Sequence, residues 1–267
     1  MPELPEVETV RRTLAPRVVG RRIIRVDVRE RRLRRRVASD FARRLAGRTI
    51  ASVGREGKYL LFHLEGGAVW LVHLGMSGCL AVGLPPQARH SHIDVVLSDG
   101  TVLTYNDPRR FGLMLVSVRP VPEIAALGID PLSEQFTAEY LRQRCRGRRR
   151  PIKNLLMDQA IVAGLGNIYA NEILFRAGVR PSRSSGRLRR RELAAIQTAT
   201  RAVLTEAIDL GGSSISDYRD GEGRPGYFQL RLGVYGRNGQ PCPRCAIPIR
   251  SRVLAGRSSF YCPACQR

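Results

Sequence analysis

Four cysteines near the end of the chain form the most specific chemical pattern in the sequence. Cys242 and Cys245 make one C-x2-C pair, and Cys262 and Cys265 make a second pair after a spacer of 16 residues. Four thiolates at this spacing suit tetrahedral zinc, with each pair on a tight knuckle and a β-hairpin between the pairs. No coordination position is left open, so the pattern predicts one structural zinc ion rather than a catalytic one.

Two lysines stand out because arginine supplies the other 43 of the 45 basic residues. They are Lys58 and Lys153. Arginine is not deprotonated in proteins, whereas a desolvated lysine can act as an acid or a base. Both lysines are therefore candidates for proton transfer, and the alternative is that their retention is chance.

Two short loops carry side chains that could enter a nucleic-acid duplex. The stretch NDPRRFG (106–112) offers Arg109 for base or phosphate contacts and Phe111 as a wedge between stacked bases. The stretch HLGMSG (73–78) offers Met76 as a second wedge. The alternative for both apolar side chains is ordinary core packing.

A glycine-rich turn precedes a predicted helix in GLGNIYANE (164–172), which begins near Asn167. Free backbone N–H groups at such a turn can bind a phosphate, and two helices joined this way are common in DNA-binding proteins. A plain turn between two helices is the alternative.

The net charge of +22 favours a polyanionic partner, nucleic acid first and anionic membrane second. A solvated basic surface is the remaining interpretation. No apolar run reaches the ~18 residues of a membrane span, and the acidic start is no signal peptide, so we expect a cytoplasmic protein.

The elements that must position these residues follow from hydrophobic patterning. The opening MPELPEVETV predicts a helix, because proline and acids suit a helix start. Short apolar runs between 58 and 118 predict an antiparallel sandwich or barrel with a hairpin turn at Asp99-Gly100. A proline-rich stretch at 119–133 predicts a linker, and helical periodicity dominates afterwards until glycines stop a long helix near 210.

Together these stretches resemble the formamidopyrimidine-DNA glycosylase family, whose bacterial members remove oxidised purines. The matching pieces run in order along the chain. They are MPELPEVET, GKYLLFHL, HLGMSG, NDPRRFG, IKNLLMDQAIVAGLGNIYANEILFRAG and SSFYCPACQR. The resemblance implies an α+β fold, with an N-terminal helix plus antiparallel β-sandwich, a helical helix-two-turn-helix domain and a C-terminal zinc-finger β-hairpin.

The domain boundaries that follow are a catalytic N-terminal domain at 2–118, a linker at 119–133, a helical domain with a lesion loop at 134–228, and a zinc finger at 233–267. The loop-like segment 213–228 matches the family's segment that closes over an extruded 8-oxoguanine.

The resemblance also implies catalytic roles. Once Met1 is removed, the secondary amine of Pro2 is the nucleophile that attacks the sugar C1′ and forms an iminium ion. Glu3 matches the general acid, with Glu6 a supporting carboxylate. Lys58 matches the general acid of the glycosylase or first elimination step, and Arg257 matches the arginine of the second elimination. An arginine is a poor proton donor, so we interpret Arg257 as an electrostatic clamp on phosphate.

DNA contacts follow from the same motifs. His90, Arg109 and Arg148 fall at DNA-binding positions, and Asn167 matches a phosphate ligand beside the lesion. Met76, Arg109 and Phe111 match the triad that fills the space left by the flipped nucleotide, whose extrusion costs a few kcal/mol. The role of Lys153 stays open.

The resulting prediction is a bifunctional DNA glycosylase and abasic-site lyase. It would act as a monomer on double-stranded DNA with oxidised bases or abasic sites, in a bacterial cytoplasm at the nucleoid. One alternative is the endonuclease VIII branch, which prefers oxidised pyrimidines and typically starts PEGPE where this chain reads PELPE. The others are a non-enzymatic zinc-dependent DNA-binding protein and an RNA-binding translation factor.

Overall fold

The computed structural model describes residues 2–83, 89–119, 121–214 and 218–267. The chain divides into two compact units. The first unit joins Met1–Ala125 to Ile208–Gln229, and the second joins Ala126–Ala207 to Leu230–Arg267. Among the helices in the described ranges, none combines the length and apolar composition that crossing a bilayer would require.

The first unit holds one long helix and two four-stranded antiparallel sheets. Helix α1 spans Leu4–Val18, and a short helix α2 spans Phe41–Leu45. The strand order of one sheet is β1-β6-β7-β5 and that of the other is β2-β3-β4-β8. The strands are β1 Ile23–Val28, β2 Ile50–Glu56, β3 Tyr59–Leu64, β4 Val69–His73, β5 Cys79–Val82, β6 Ser91–Leu97, β7 Val102–Asn106 and β8 Leu113–Ser117.

One apolar core in this unit takes side chains from α1 and from both sheets. Trp70 stacks on Phe62 with ring centroids 4.4 Å apart, and Phe41 of α2 meets the Trp70 ring edge-on. Val10 and Leu14 bring the inner face of α1 to the same core. The core therefore anchors α1, and with it the start of the chain, against the sheets.

The second unit is helical and ends in a two-stranded hairpin. A short helix α3 at Pro122–Ala125 comes before it in the chain and is the last element of the Met1–Ala125 part of the first unit. Helices α4 Ala138–Cys145, α5 Ile152–Leu156, α6 Asn167–Arg176 and α7 Arg190–Asp209 follow, and strands β9 Arg250–Leu254 and β10 Arg257–Tyr261 form the hairpin. Phe175 of α6 packs with Val234 and Ile249 in a small core beneath the cysteines.

A buried carboxylate and an exposed arginine fasten the hairpin segment to α6. Glu172 is 2 % exposed and accepts the N–H groups of Gly233, Val234 and Tyr235 at 2.8–3.0 Å. Arg244 donates to the C=O groups at the end of α6 and lies over the Phe175 ring at 4.5 Å. The hairpin is thus packed on the helix as well as folded around its cysteines.

The predicted α+β fold class is confirmed, including the N-terminal helix, the antiparallel sheets and the terminal hairpin. The turn at Asp99-Gly100 joins β6 to β7 as predicted. Strands β1, β2 and β5 and helix α2 were not predicted individually. The domain boundaries stay a prediction, and residues 215–217 of the predicted lesion loop lie outside the described residues.

Candidate functional site

The start of α1 is a buried arrangement of carboxylates. Pro2 is buried and precedes Glu3, the residue that caps the helix. Glu3 and Glu6 form a reciprocal capping box, in which the Glu6 carboxylate accepts the Glu3 N–H at 2.8 Å. The two side chains are only 2 % and 1 % exposed. The sequence pattern that suggested a helix start therefore also concentrates two shielded carboxyl groups beside Pro2.

Glu6 is held from a second direction by the segment after α7. Its other carboxylate oxygen accepts the N–H of Ser213 at 2.8 Å, and its C=O accepts the Tyr218 hydroxyl at 3.2 Å. Gly212 has φ +81°, and a Cβ there would lie 3.0 Å from Glu6 Cγ. This conformation and close approach favour glycine, so the segment that begins at Gly212 is anchored at the start of α1.

Lys58 lies in the turn between β2 and β3 and is 7 % exposed. Arg55, whose side chain is 9 % exposed, pairs with Glu8 of α1 at 3.1 Å and donates to the Gly57 C=O at 3.3 Å. Arg55 therefore ties the turn that carries Lys58 to the helix that begins behind Pro2.

Asp107 joins the two loops in which we predicted wedges. It is completely buried, and its carboxylate accepts Ser77 Oγ at 2.8 Å, Tyr105 OH at 2.9 Å, Gly112 N–H at 2.9 Å and Arg109 N–H at 3.3 Å. One acceptor thus fixes HLGMSG and NDPRRFG to each other. Sequence reasoning missed Asp107, and the one available signal was an Asp-Pro pair at the end of a strand.

The same two loops also approach closely through their glycines. A Cβ on Gly75, at φ +71°, would lie 2.5 Å from the Phe111 carbonyl carbon. A Cβ on Gly112 would overlap the Tyr105 hydroxyl. His73 Nδ1 accepts the Gly75 N–H at 3.0 Å, and burial, with the nearby charges of Lys58 and Arg34, lowers the pKa of His73 to about 4. The neutral ring therefore serves as the acceptor that shapes this loop.

The tips of these loops are exposed. Met76 is 38 % exposed and Phe111 is 44 % exposed, so neither is a core residue. The Arg109 guanidinium lies 4.8 Å from the Phe111 ring centroid in a cation–π contact. His90 is also exposed, at φ +70°, and its C=O accepts the Asp107 N–H at 3.0 Å. The structure therefore excludes core packing for Met76 and Phe111, whose side chains are exposed on loops that Asp107 holds together.

In the second unit, Arg148 lies on an exposed loop after α4. Its C=O accepts the Gly186 N–H at 2.8 Å, and the hydroxyls of Ser184 and Ser185 reach the same oxygen at 3.4 Å. A cavity of about 520 Å³ beside this loop is lined by Arg148, Arg149 and Arg187 among others. The described residues that line the cavity include three arginines and no acidic residue, so the cavity suits an anion.

Asn167 is the first residue of α6, as predicted, and Gly166 is its N-cap. Its Oδ1 is buried without a hydrogen-bond partner among the described residues. The Asn167 C=O accepts the Asn171 side-chain amide at 2.6 Å, and Asn171 Oδ1 accepts the Phe260 N–H of β10 at 2.8 Å. Asn171, which the sequence analysis missed, therefore links the Asn167 turn to the hairpin.

The four predicted zinc ligands meet at one point. The Sγ atoms of Cys242, Cys245, Cys262 and Cys265 all lie within 4.8 Å of one another. Two of the Sγ–Sγ distances are 4.0 Å and 3.5 Å, which bracket the ~3.8 Å edge expected of a tetrahedron with Zn–S bonds of about 2.3 Å. The residues therefore fit one structural zinc ion. Arg257 is exposed at the start of β10, just after the hairpin turn.

Comparisons with known proteins agree along the whole chain. Family models match at residues 1–114 (Formamidopyrimidine-DNA glycosylase N-terminal domain), 127–219 (Formamidopyrimidine-DNA glycosylase H2TH domain) and 239–267 (Zinc finger found in FPG and IleRS). A formamidopyrimidine-DNA glycosylase of Thiobacillus denitrificans is 51 % identical over 271 residues, covering 100 % of both chains.

Solved structures show the same similarity. The MutM (Fpg) protein of Thermus thermophilus is 43 % identical with a TM-score of 0.88, over 99 % of this chain and 98 % of that one. A Lactococcus lactis Fpg mutant in complex with DNA containing Fapy-dG is 35 % identical with a TM-score of 0.91, over 100 % of both chains. The chain belongs to the formamidopyrimidine-DNA glycosylase family.

Proposed function

We propose that the chain is a DNA glycosylase of base excision repair that removes oxidised purines and then cleaves the abasic site. The observation that carries the proposal is the buried pair Glu3 and Glu6 at the start of α1, directly behind Pro2. The capping box uses both side chains at the helix start, but capping alone does not require that two carboxylates be shielded from solvent directly behind a proline. Amine chemistry at a sugar carbon needs a nucleophile and an acid at one place.

The nucleophile in this scheme is the Pro2 nitrogen after removal of Met1. An α-amino group has a pKa of about 7.7–8.0, and the positive end of the α1 dipole disfavours its cationic form further. A usable fraction is therefore neutral near pH 7 and can attack C1′ of the damaged nucleotide. The C1′–N bond to the base breaks, the base leaves with the proton of the proline nitrogen, and Pro2 is then bonded to C1′ of a sugar whose ring is still closed.

The carboxyl group of Glu3 supplies a proton to O4′, the C1′–O4′ bond breaks, and the nitrogen lone pair forms the iminium ion that joins Pro2 to the opened sugar. The iminium then acidifies the C2′ proton, whose loss expels the 3′ phosphate. Loss of the C4′ proton next expels the 5′ phosphate, which leaves a one-nucleotide gap. We assign Lys58 as the acid of the glycosylase or first elimination step, and Arg257 as the cation that stabilises the departing phosphate of the second step.

We assign DNA binding to the exposed residues on the rigid loops. Met76, Arg109 and Phe111 fill the space of the extruded nucleotide, because an apolar wedge and a guanidinium can replace lost stacking. His90, Arg148 and Asn167 bind the backbone of double-stranded DNA. The chain acts as a monomer in this scheme, on nucleoid DNA in the bacterial cytoplasm.

Borohydride trapping tests the proposal directly. The processed protein is incubated with duplexes that carry 8-oxoguanine opposite cytosine, a formamidopyrimidine or an oxidised pyrimidine. We expect a covalent adduct and a gapped product, with the purine lesions preferred, and strong loss of both in Pro2→Gly. Preference for the pyrimidine lesion would favour the endonuclease VIII branch. Tight binding with no adduct and no cleavage would instead make the chain a DNA-binding protein.

A further inference from the structure

Lys153 is the one lysine that the proposed mechanism does not use, and it is completely buried in α5. Its Nζ donates to the Ser258 C=O at 2.7 Å and to Ser259 Oγ at 2.7 Å. Both acceptors lie on β10, immediately after Arg257. Burying an ammonium group costs free energy unless hydrogen bonds compensate for the lost water. A role as a surface charge therefore does not explain Lys153.

The contacts occupy the outer edge of the hairpin. Strand β10 pairs with β9 on one side, and residues two apart in a strand direct their N–H and C=O groups to the same edge. Ser258 and Phe260 share the outer edge. Lys153 binds the Ser258 C=O, and Asn171 Oδ1 accepts the Phe260 N–H at 2.8 Å. Side chains from α5 and α6 therefore take the place of a third strand.

A short relay connects Lys153 to the backbone of Arg257. Ser259 is completely buried, and its hydroxyl donates to the Arg257 C=O at 3.4 Å while accepting from Lys153. The turn before Arg257 holds Ala255 at φ +46° and Gly256 at φ +71°, so Arg257 is the first residue at which the strand is fixed. Lys153 thus binds the C=O of the residue that follows Arg257 directly, and it reaches the Arg257 C=O through Ser259.

We propose that Lys153 is a positioning residue that aims Arg257 at the phosphate expelled in the second elimination. This inference rests on the role proposed for Arg257. In that step the C4′ proton leaves, its bonding electrons form the new double bond, and the C5′–O bond breaks towards the phosphate. Arg257 stabilises the developing phosphate charge, and a shift of its backbone by about 1 Å would weaken that step by up to a hundredfold.

The test compares Lys153→Met with the wild-type protein in zinc-loaded, full-length form on abasic-site DNA. We expect the rate of the second elimination to fall about tenfold, so that product with only the 3′ phosphate expelled accumulates. The borohydride-trapped adduct should change by less than about twofold, because Pro2 is not touched, and the zinc content should stay at one ion per chain. Arg250→Gln is the matched control, since it removes an exposed positive charge from the same hairpin.

Ser259→Ala is the second variant, and it tests the proposed positioning of Arg257 if Lys153→Met does not fold. It breaks the contact through Ser259 and leaves the Lys153 contact with Ser258. We therefore expect a smaller fall in the rate of the second elimination, again with little change in the trapped adduct. An unchanged product ratio in both variants, or equal losses of adduct and second elimination, would overturn the inference. A wild-type protein that forms no adduct would refute the proposed function instead.

Discussion

Replacing Asp107 by asparagine should loosen both wedge loops at once. The substitution keeps the shape of the side chain but removes the charge and one acceptor oxygen. Asp107 now accepts four hydrogen bonds, two from hydroxyls and two from the N–H groups of Arg109 and Gly112. In the better orientation the new side-chain amide keeps its oxygen towards Gly112 and Tyr105. Its NH2 group then faces Ser77, which can rotate to accept, and the Arg109 N–H, which cannot.

The magnitude follows from that geometry. One backbone donor loses its acceptor, and the remaining bonds lose their charge-assisted character, each worth roughly 1 kcal/mol more than a neutral bond. Relief from burying a charge offsets part of this loss. We expect the closed loop to be destabilised by about 2 kcal/mol, which makes local opening about 30-fold more frequent.

Hydrogen exchange of the Gly112 amide measures that opening, because its N–H points at Asp107. Asp99→Asn is the matched control, since Asp99 caps an exposed turn in the same unit and accepts the Thr101 N–H at 3.0 Å. We also expect weaker binding of abasic-site DNA by the Asp107 variant. Equal Gly112 exchange in the Asp107 variant and the wild type would refute the idea that this carboxylate holds the loops together.

Three further outcomes are expected. Burial opposes ionisation of Glu8, but hydrogen bonds from Arg11 and Arg12 prevail and lower its pKa from 4.5 to about 2. The ionised Glu8 carboxylate therefore contributes its full stabilisation above pH 4.5, and this contribution is lost as the pH falls towards 2. The loss is about 2 kcal/mol after allowance for solvent screening. Acid unfolding of Glu8→Gln should lack this pH-dependent loss of stability. Removing zinc with a chelator should unfold the hairpin and abolish strand cleavage, with recovery when zinc returns; full cleavage by protein shown to be zinc-free would contradict this. Arg148→Gln should reduce the slope of log binding constant against log salt by about 0.9, and parallel salt curves would exclude a phosphate contact at this position.

The sequence was most informative where local pattern decides structure. Strand β3 and its neighbours alternate apolar runs with glycine turns, and the cysteine spacing defines its own geometry. Strand β1 was missed although Arg25 and Asp27 alternate with apolar residues, because the arginine-rich sequence around it hides so short a pattern. The Arg25–Asp27 ion pair at 3.0 Å is visible only once the strand is formed. Strand β5 is four residues long and wholly buried, so it shows no alternation.

The supporting residues of the site were beyond prediction for a related reason. Asp107 acts through Ser77, 30 residues earlier, and Lys153 acts through Ser259, 106 residues later. Neither serine partner is marked by a local motif, because a serine is usually exposed to solvent whether it lies in a loop or in a hairpin strand. Contacts of this kind follow from topology, which hydrophobic periodicity specifies only in outline.

Burial of both lysines has a practical consequence. With Lys153 wholly enclosed and Lys58 only 7 % exposed, the folded surface presents arginine as its basic side chain. Reagents that acylate primary amines, and enzymes that acetylate or ubiquitinate lysine, therefore find almost no target on the native protein. Fluorophores or surface-immobilisation linkers for this chain are better directed at an engineered thiol than at its amines.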